Sequence, residues 1–241
     1  MVNPTRRARL RSRLYFALGA VSLASTVVLT GAYFAESPAP PQPAAAAQGV
    51  IPSASGAVPV SVPPPRDSQP GPAPASTPPA APAPAPAVPL TLPASPPASV
   101  RAATVGMQSP LVQVGLNPDG TIEVPVAYDA AAWYRLGPIP GSLGPAVIVG
   151  HVDSYKGPGV FFTLGVMRPG ATIDVTRADA AVAHFRVDAV NSYPKNHFPT
   201  AAVYGPIDYA GLRVITCGGV FDQTTKSYES NTVVFASLVR G

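Results

Sequence analysis

One cysteine and three histidines are all that 241 residues offer for thiol or imidazole chemistry. A lone thiol cannot close an internal disulfide, and Cys217 with His151, His184 and His197 lacks the spacing of a structural metal site. No acidic loop of the calcium-binding kind occurs either, so neither a metal nor a cofactor is expected. Charge is scarce, at 12% of residues, and no acid precedes Glu36. The net charge of +4 hints at nucleic acid until it is located: residues 1–13 carry five arginines, whereas residues 101–241 balance ten Lys/Arg against ten Asp/Glu. Without a clustered basic face, nucleic acid is not an expected partner. Long amphipathic helices are absent from the C-terminal half.

What is present divides the chain by composition. After the basic segment 1–13, residues 14–35 run for 22 positions without a charge. As a helix they would extend roughly 33 Å, close to the ~30 Å hydrocarbon core of a bilayer. Arginines before the span and none just after it predict a single-pass signal-anchor with a cytoplasmic N-terminus and everything downstream outside the cell. A cleaved signal peptide fits less well. The stretch Gly31-Ala32-Tyr33-Phe34-Ala35 offers no clean small-x-small site, and the run is long for a signal core.

Residues 36–100 are dominated by Pro, Ala, Ser and Val, and 21 of the 33 prolines fall in residues 37–100. Such a composition lacks backbone donors and apolar bulk, so it reads as a polyproline-II spacer rather than a packed unit. At ~3.1 Å per residue it could reach roughly 200 Å, enough to hold a domain out in a cell wall.

Residues 101–241 form one domain large enough to fold without a disulfide. Short alternating or apolar runs at 111–114, 121–124, 146–149, 172–176, 183–187, 212–217 and 232–238 predict strands, with Asn117-Pro118-Asp119-Gly120 as a turn. Helical turns are expected near 161–164 and 206–210. The class is all-β, a sandwich or a closed barrel.

Chemistry concentrates at two strand ends. Cys217 closes the run Leu212-Arg213-Val214-Ile215-Thr216, and His151 closes Ala146-Val147-Ile148-Val149-Gly150. An ordinary thiol is only a few per cent thiolate at neutral pH, and an adjacent imidazole can raise its reactivity for acyl transfer. His184 should face solvent from its strand, and His197 lies in a loop between prolines. Alternation puts Arg213, Ile215 and Cys217 on one face, so Arg213 is the candidate donor to an oxyanion; a salt bridge to Asp208 or Asp222 is the plainer alternative. Gly218-Gly219 should end the strand and let an extended peptide approach the sulfur. Asp153 either orients His151 or stabilises its loop.

These residues resemble a known family. Thr216-Cys217 after an apolar strand is similar to the Thr-Leu-x-Thr-Cys signature of sortases, the cysteine transpeptidases of Gram-positive cell walls. Trp133-Tyr134, Gly137-Pro138, Gly144-Pro145-Ala146, Gly150-His151-Val152-Asp153, Arg168-Pro169-Gly170, Tyr193-Pro194-Lys195, Val203-Tyr204-Gly205-Pro206 and Ile215-Thr216-Cys217-Gly218-Gly219 resemble, in order, the actinobacterial class F type. The resemblance implies an eight-stranded sortase β-barrel with short helices over residues 101–241. It implies cleavage of a Leu-Pro-x-Thr-Gly-like sorting signal on surface proteins, through a Cys217 thioester that a cell-wall precursor amine resolves. His151 would act as acid/base and Arg213 as the functional arginine, with Thr216, Gly218, Gly219 and Asp153 lining the substrate path. One departure stands out. The arginine usual on the strand after the cysteine is absent, and Asn231 occupies its place. A wall L,D-transpeptidase lacks its Ser-x-Gly-Cys type of motif here. A non-catalytic wall-binding protein on the same barrel is the remaining alternative, against which the intact His151 and Cys217 argue.

Overall fold

Burial that alternates residue by residue builds most of the structure. In β7 (Thr172–Arg177) Ile173, Val175 and Arg177 are buried between more exposed neighbours, and β8 (Val182–Pro194) repeats this with Ala183, Phe185 and Val187. Several strands depart from alternation, two of them over seven consecutive residues. All seven residues of β4 (Gly144–Gly150) are buried, as are the first seven of β9 (Ala210–Asp222). An apolar run without a polar phase requires cover on both faces.

The computed structural model describes residues 39–49 and 88–241. The basic segment 1–13, the uncharged span 14–35 and residues 50–87 lie outside the described residues. Among the described residues no helix is long and apolar enough to cross a membrane.

Eight strands close a barrel, in which β1 (Pro97–Ala102), β2 (Met107–Val114) and β3 (Ala131–Tyr134) lead to β4, then β9, β10 (Ser227–Leu238), β8 and β7, which pairs back with β1. The β2–β3 and β4–β9 pairs are parallel and the other pairs antiparallel. A small hairpin, β5 (Asp153–Ser154) with β6 (Gly157–Pro158), projects just beyond β4. One short helix, α1 (Thr200–Tyr204), follows β8. The barrel interior holds Val100, Ile148, Phe161, Phe185, Leu212, Val214 and Val234. A second apolar cluster (Val147, Val149, Ile215, Val233 and Phe235, with Val203 of α1) covers the opposite faces of β4, β9 and β10.

Several sequence expectations need correction. Residues 121–124 make no strand; a single bridge joins Leu116 to Ile122, and Asp119 accepts from the Thr121 amide and hydroxyl instead. The helical turn expected at 206–210 forms earlier, as α1. Gly218-Gly219 do not end their strand, because β9 continues to Asp222.

The boundary between linker and domain at 100/101 also moves. β1 begins at Pro97, Leu92 donates to Gly141 through its backbone, and Arg177 Nη2 donates to the Pro93 carbonyl. Residues 39–49, read as spacer, lie on the barrel with Pro40, Pro43 and Ala47 buried. Ala47 joins the interior cluster. Proline lacks a donor but its ring is apolar, so a Pro/Ala segment can pack by surface contact without entering a ladder.

Candidate active site

The parallel pairing of β4 and β9 brings the two reactive groups together. Ala146 pairs with Leu212 and Val149 with Ile215. Carried two residues further, the same register sets His151 level with Cys217, on chains that neighbour at about 4.8 Å spacing. A clamp fixes this end of the pair: the buried Thr216 hydroxyl donates to the Gly150 carbonyl at 2.9 Å. On the other flank, Asn231 of β10 pairs directly with Cys217. Cys217 and Asn231 are thus paired across β9 and β10, and His151 follows directly on the end of β4, the strand on the other side of β9.

All three line a groove of about 1200 Å³. Its walls are mostly apolar, with Leu116, Ile122, Val124, Leu143, Val147, Val149, Ile215, Tyr204, Pro206 and Ile207 among the lining residues. Cys217 is partly exposed there. The groove floor is the second apolar cluster, which explains why β4 and the first seven residues of β9 are buried on both faces.

His151 is held by its ring. Nε2 donates to the Pro125 carbonyl at 2.7 Å, and the ring leans on Tyr128 with centroids 4.6 Å apart. A carbonyl can only accept, so the proton of the neutral imidazole sits on Nε2 and leaves Nδ1 as acceptor. The backbone on either side is fixed as well: Phe161 donates to the His151 carbonyl and Gly159 to that of Val152.

Asp153 does not touch His151 by hydrogen bond. Its carboxylate accepts from the Tyr228 hydroxyl of β10. Burial, that carboxylate and the nearby Cys217 push the Tyr228 phenol well above its ordinary range, so it stays protonated and donating. Tyr228 carried no local sequence signal for this place, whereas the sequence marks Asn231 only as the residue standing where the family's arginine is usual.

Arg213 is corrected. It shares the cysteine's face, but four residues of strand separate their Cα atoms by about 13 Å. The side chain is fully buried and is not among the groove-lining residues. Nη1 donates to the Leu212 carbonyl, Nη2 to the Tyr209 hydroxyl, and the guanidinium stacks over Phe235 at 4.8 Å. Both bonds point back along the chain, away from Cys217. The expected salt bridge to Asp208 or Asp222 is also missing among the described ion pairs.

The glycines answer to internal packing rather than to a visiting peptide. A Cβ on Gly218 would lie 2.5 Å from Thr232 Oγ1, and Gly219 has φ +80°. Of the four residues expected along the substrate path, only Thr216 lines the groove. The remaining histidines stand apart: His184 Nδ1 is 2.8 Å from Asp174, and His197 bonds its neighbour Asn196. Among the described residues no cluster of His, Cys, Asp or Glu could hold a metal.

A closed β-barrel that places its one thiol and an imidazole in the lining of a single groove is a setting suited to cysteine acyl-transfer chemistry. The sortase-domain family model matches residues 100–239, and the chain belongs to the sortase family. Similar solved structures include a lid mutant of sortase A from Corynebacterium diphtheriae, at 18% identity and TM-score 0.48 over 60% of this chain and 70% of that one. Sortase D5 transpeptidase from Clostridium perfringens shares 15% identity, with TM-score 0.45 over 60% and 79% of the two chains. Sortase C from Streptococcus pneumoniae shares 16%, with TM-score 0.45 over 59% and 66%. No curated protein matches the chain in sequence.

Proposed function

We propose that this sortase is a class F-type transpeptidase that cleaves a Leu-Pro-x-Thr-Gly-like signal on surface proteins and passes the product to a cell-wall amine. The observation that carries it is one groove lined by both His151, directly after β4, and Cys217, on the parallel neighbour β9.

In this reading an extended peptide lies along the apolar groove with its threonine carbonyl at Cys217. His151 Nδ1 takes the thiol proton as sulfur attacks, because Nε2 is committed to Pro125. The tetrahedral oxyanion needs a donor, and Asn231, beside Cys217 and open to the groove, replaces the absent arginine. Collapse expels the glycine-side amine, which recovers the proton from the imidazolium, and leaves a thioester on Cys217. The acceptor amine then attacks the thioester, gives up a proton to His151 and releases the thiol. Arg213 acts through β9, as a buried brace beneath the groove, rather than on the carbonyl. Residues 14–35 anchor the enzyme in the plasma membrane, with the barrel on the outer side.

The test is intact-mass detection of a peptide adduct on the full chain. A sorting peptide without acceptor amine should give a stoichiometric thioester that an added amine discharges. Cys217→Ala should give none and His151→Ala should slow it by about 10²-fold or more. An unmodified wild-type mass under these conditions overturns the reading.

A further inference from the structure

Residues 39–49 lie close in sequence to the uncharged span, and yet they dock on the barrel at several separate places. Pro40 and Pro43 are buried, and Ala47 is fully buried in the interior cluster. Gln42 Oε1 accepts the Gly219 amide at 2.9 Å, while its Nε2 donates to the Pro40 carbonyl at 2.9 Å and so fixes the amide's orientation. Gly219 is where the β9–β10 register shifts, between Tyr228 and Ser230, and a bulge leaves a ladder donor free. The Pro41 carbonyl fills the space over Gly165, where a Cβ would approach it to 1.9 Å. Finally, the Gly49 amide donates to Asn191 Oδ1 at 3.2 Å, and Asn191 Nδ2 returns a bond to the Gly49 carbonyl.

We propose that residues 39–49 are a strap that ties the nucleophile end of the barrel to the membrane anchor and so keeps it within short reach of the bilayer surface. Ahead of β1 the chain is fastened a second time, where the Leu92 amide donates to the Gly141 carbonyl and Arg177 Nη2 to the Pro93 carbonyl. The proposal rests on residues 14–35 being a membrane anchor. Position 35 precedes Pro40 by five residues, which span at most roughly 18 Å when fully extended. Reaching Gln42 takes two more residues, and Gly219 lies two residues from Cys217, so the sulfur stands within about 40 Å of the span's end. A free spacer over 36–100 would instead allow roughly 200 Å. The surface within reach of the strapped barrel is therefore lipid headgroups.

The chain supplies its own test, because Arg66 is the only lysine or arginine between Arg13 and Arg101. Full-length protein in phosphatidylglycerol/phosphatidylcholine vesicles is nicked by trypsin at Arg66 and floated on a density gradient. The strap predicts that most of the barrel fragment stays with the vesicles and leaves only in denaturant. Strap variants Ala47→Glu and Gln42→Leu combined with Pro43→Gly should release it. Release of the nicked wild-type barrel overturns the proposal. The same nicked chain in detergent micelles should elute as one complex, and separate elution overturns the strap without reference to any bilayer. Failure of the intact chain to float instead overturns the anchor, and with it the membrane-facing part of the proposal. A second measurement uses a dye on Cys217 and acceptor lipids. Energy transfer should be strong and unchanged when residues 55–80 are deleted, whereas weak transfer that rises several-fold on deletion favours a spacer. Neither readout depends on transpeptidation, so failure of the catalytic reading remains distinct.

Discussion

Asn231 stands directly across the β9–β10 ladder from Cys217, the one pairing in the barrel that sets a neutral amide beside the nucleophile within the groove. An amide donates to a developing oxyanion without altering net charge, so its contribution should appear in the chemical step. Asn231→Ala is expected to lower kcat for thioester formation by roughly 10²-fold with little change in KM. Asn231→Arg is expected to restore most of the rate. Single-turnover kinetics on both variants checks this, and an unaltered kcat in the alanine variant removes Asn231 from the oxyanion.

Tyr228 and Asp153 provide a pH test. The phenol's affinity for its proton is higher in the folded chain than in the unfolded one, so the neutral form stabilises the fold. That contribution is complete below the unfolded value of about 10 and is lost as pH rises beyond it, when a phenolate would face the Asp153 carboxylate. The melting temperature should therefore fall between pH 9 and 11 more steeply in wild type than in Tyr228→Phe. Equal slopes would mean that the hydroxyl does not bridge β10 to the loop after His151.

Arg213 should matter to stability more than to chemistry. Arg213→Lys loses the bond to Tyr209 and the stacking on Phe235, at a cost of about 1–3 kcal/mol read as a lower Tm. Turnover of a sorting peptide below the new Tm should change by less than about tenfold, because this side chain is fully buried and does not line the groove. A loss of several hundredfold at unchanged Tm would return Arg213 to the reacting carbonyl.

Thr216→Val keeps shape but removes the hydroxyl that ties β9 to the Gly150 carbonyl. A buried acceptor left unpaired costs about 1–3 kcal/mol. Loosening this clamp should also slow alkylation of Cys217 at neutral pH, since His151 and Cys217 are aligned through it. Iodoacetamide kinetics with Tm as a control measure both effects.

Much of the barrel was legible because its strands alternate or run apolar, as at Ile173–Val175 and Ile148–Val149. β3 was missed: Ala131-Ala132-Trp133-Tyr134 has no polar phase and is only four residues long. The strap was missed for another reason. Composition tells what a segment cannot do alone, and Ala47 is buried only because a finished barrel offers it a place. His151 was readable as a strand end, whereas Cys217 was read on the right strand but as its end, although β9 runs on to Asp222. The error over Arg213 came from using the two-residue period for direction while neglecting the distance that period accumulates. Tyr228 and Asp153 are 75 residues apart, a contact that no local pattern announces.

The Thr216–Gly150 clamp bridges 66 residues of sequence. Sulfur and imidazole come to the same end of the sheet only when β4 and β9 pair, and that waits until β9 has been made and has returned past the intervening chain to lie beside β4. A chain emerging from synthesis or crossing a membrane thus carries a dormant thiol, and competence to cut arrives in one step with the native topology. The long crossover is in effect a safety catch on the nucleophile.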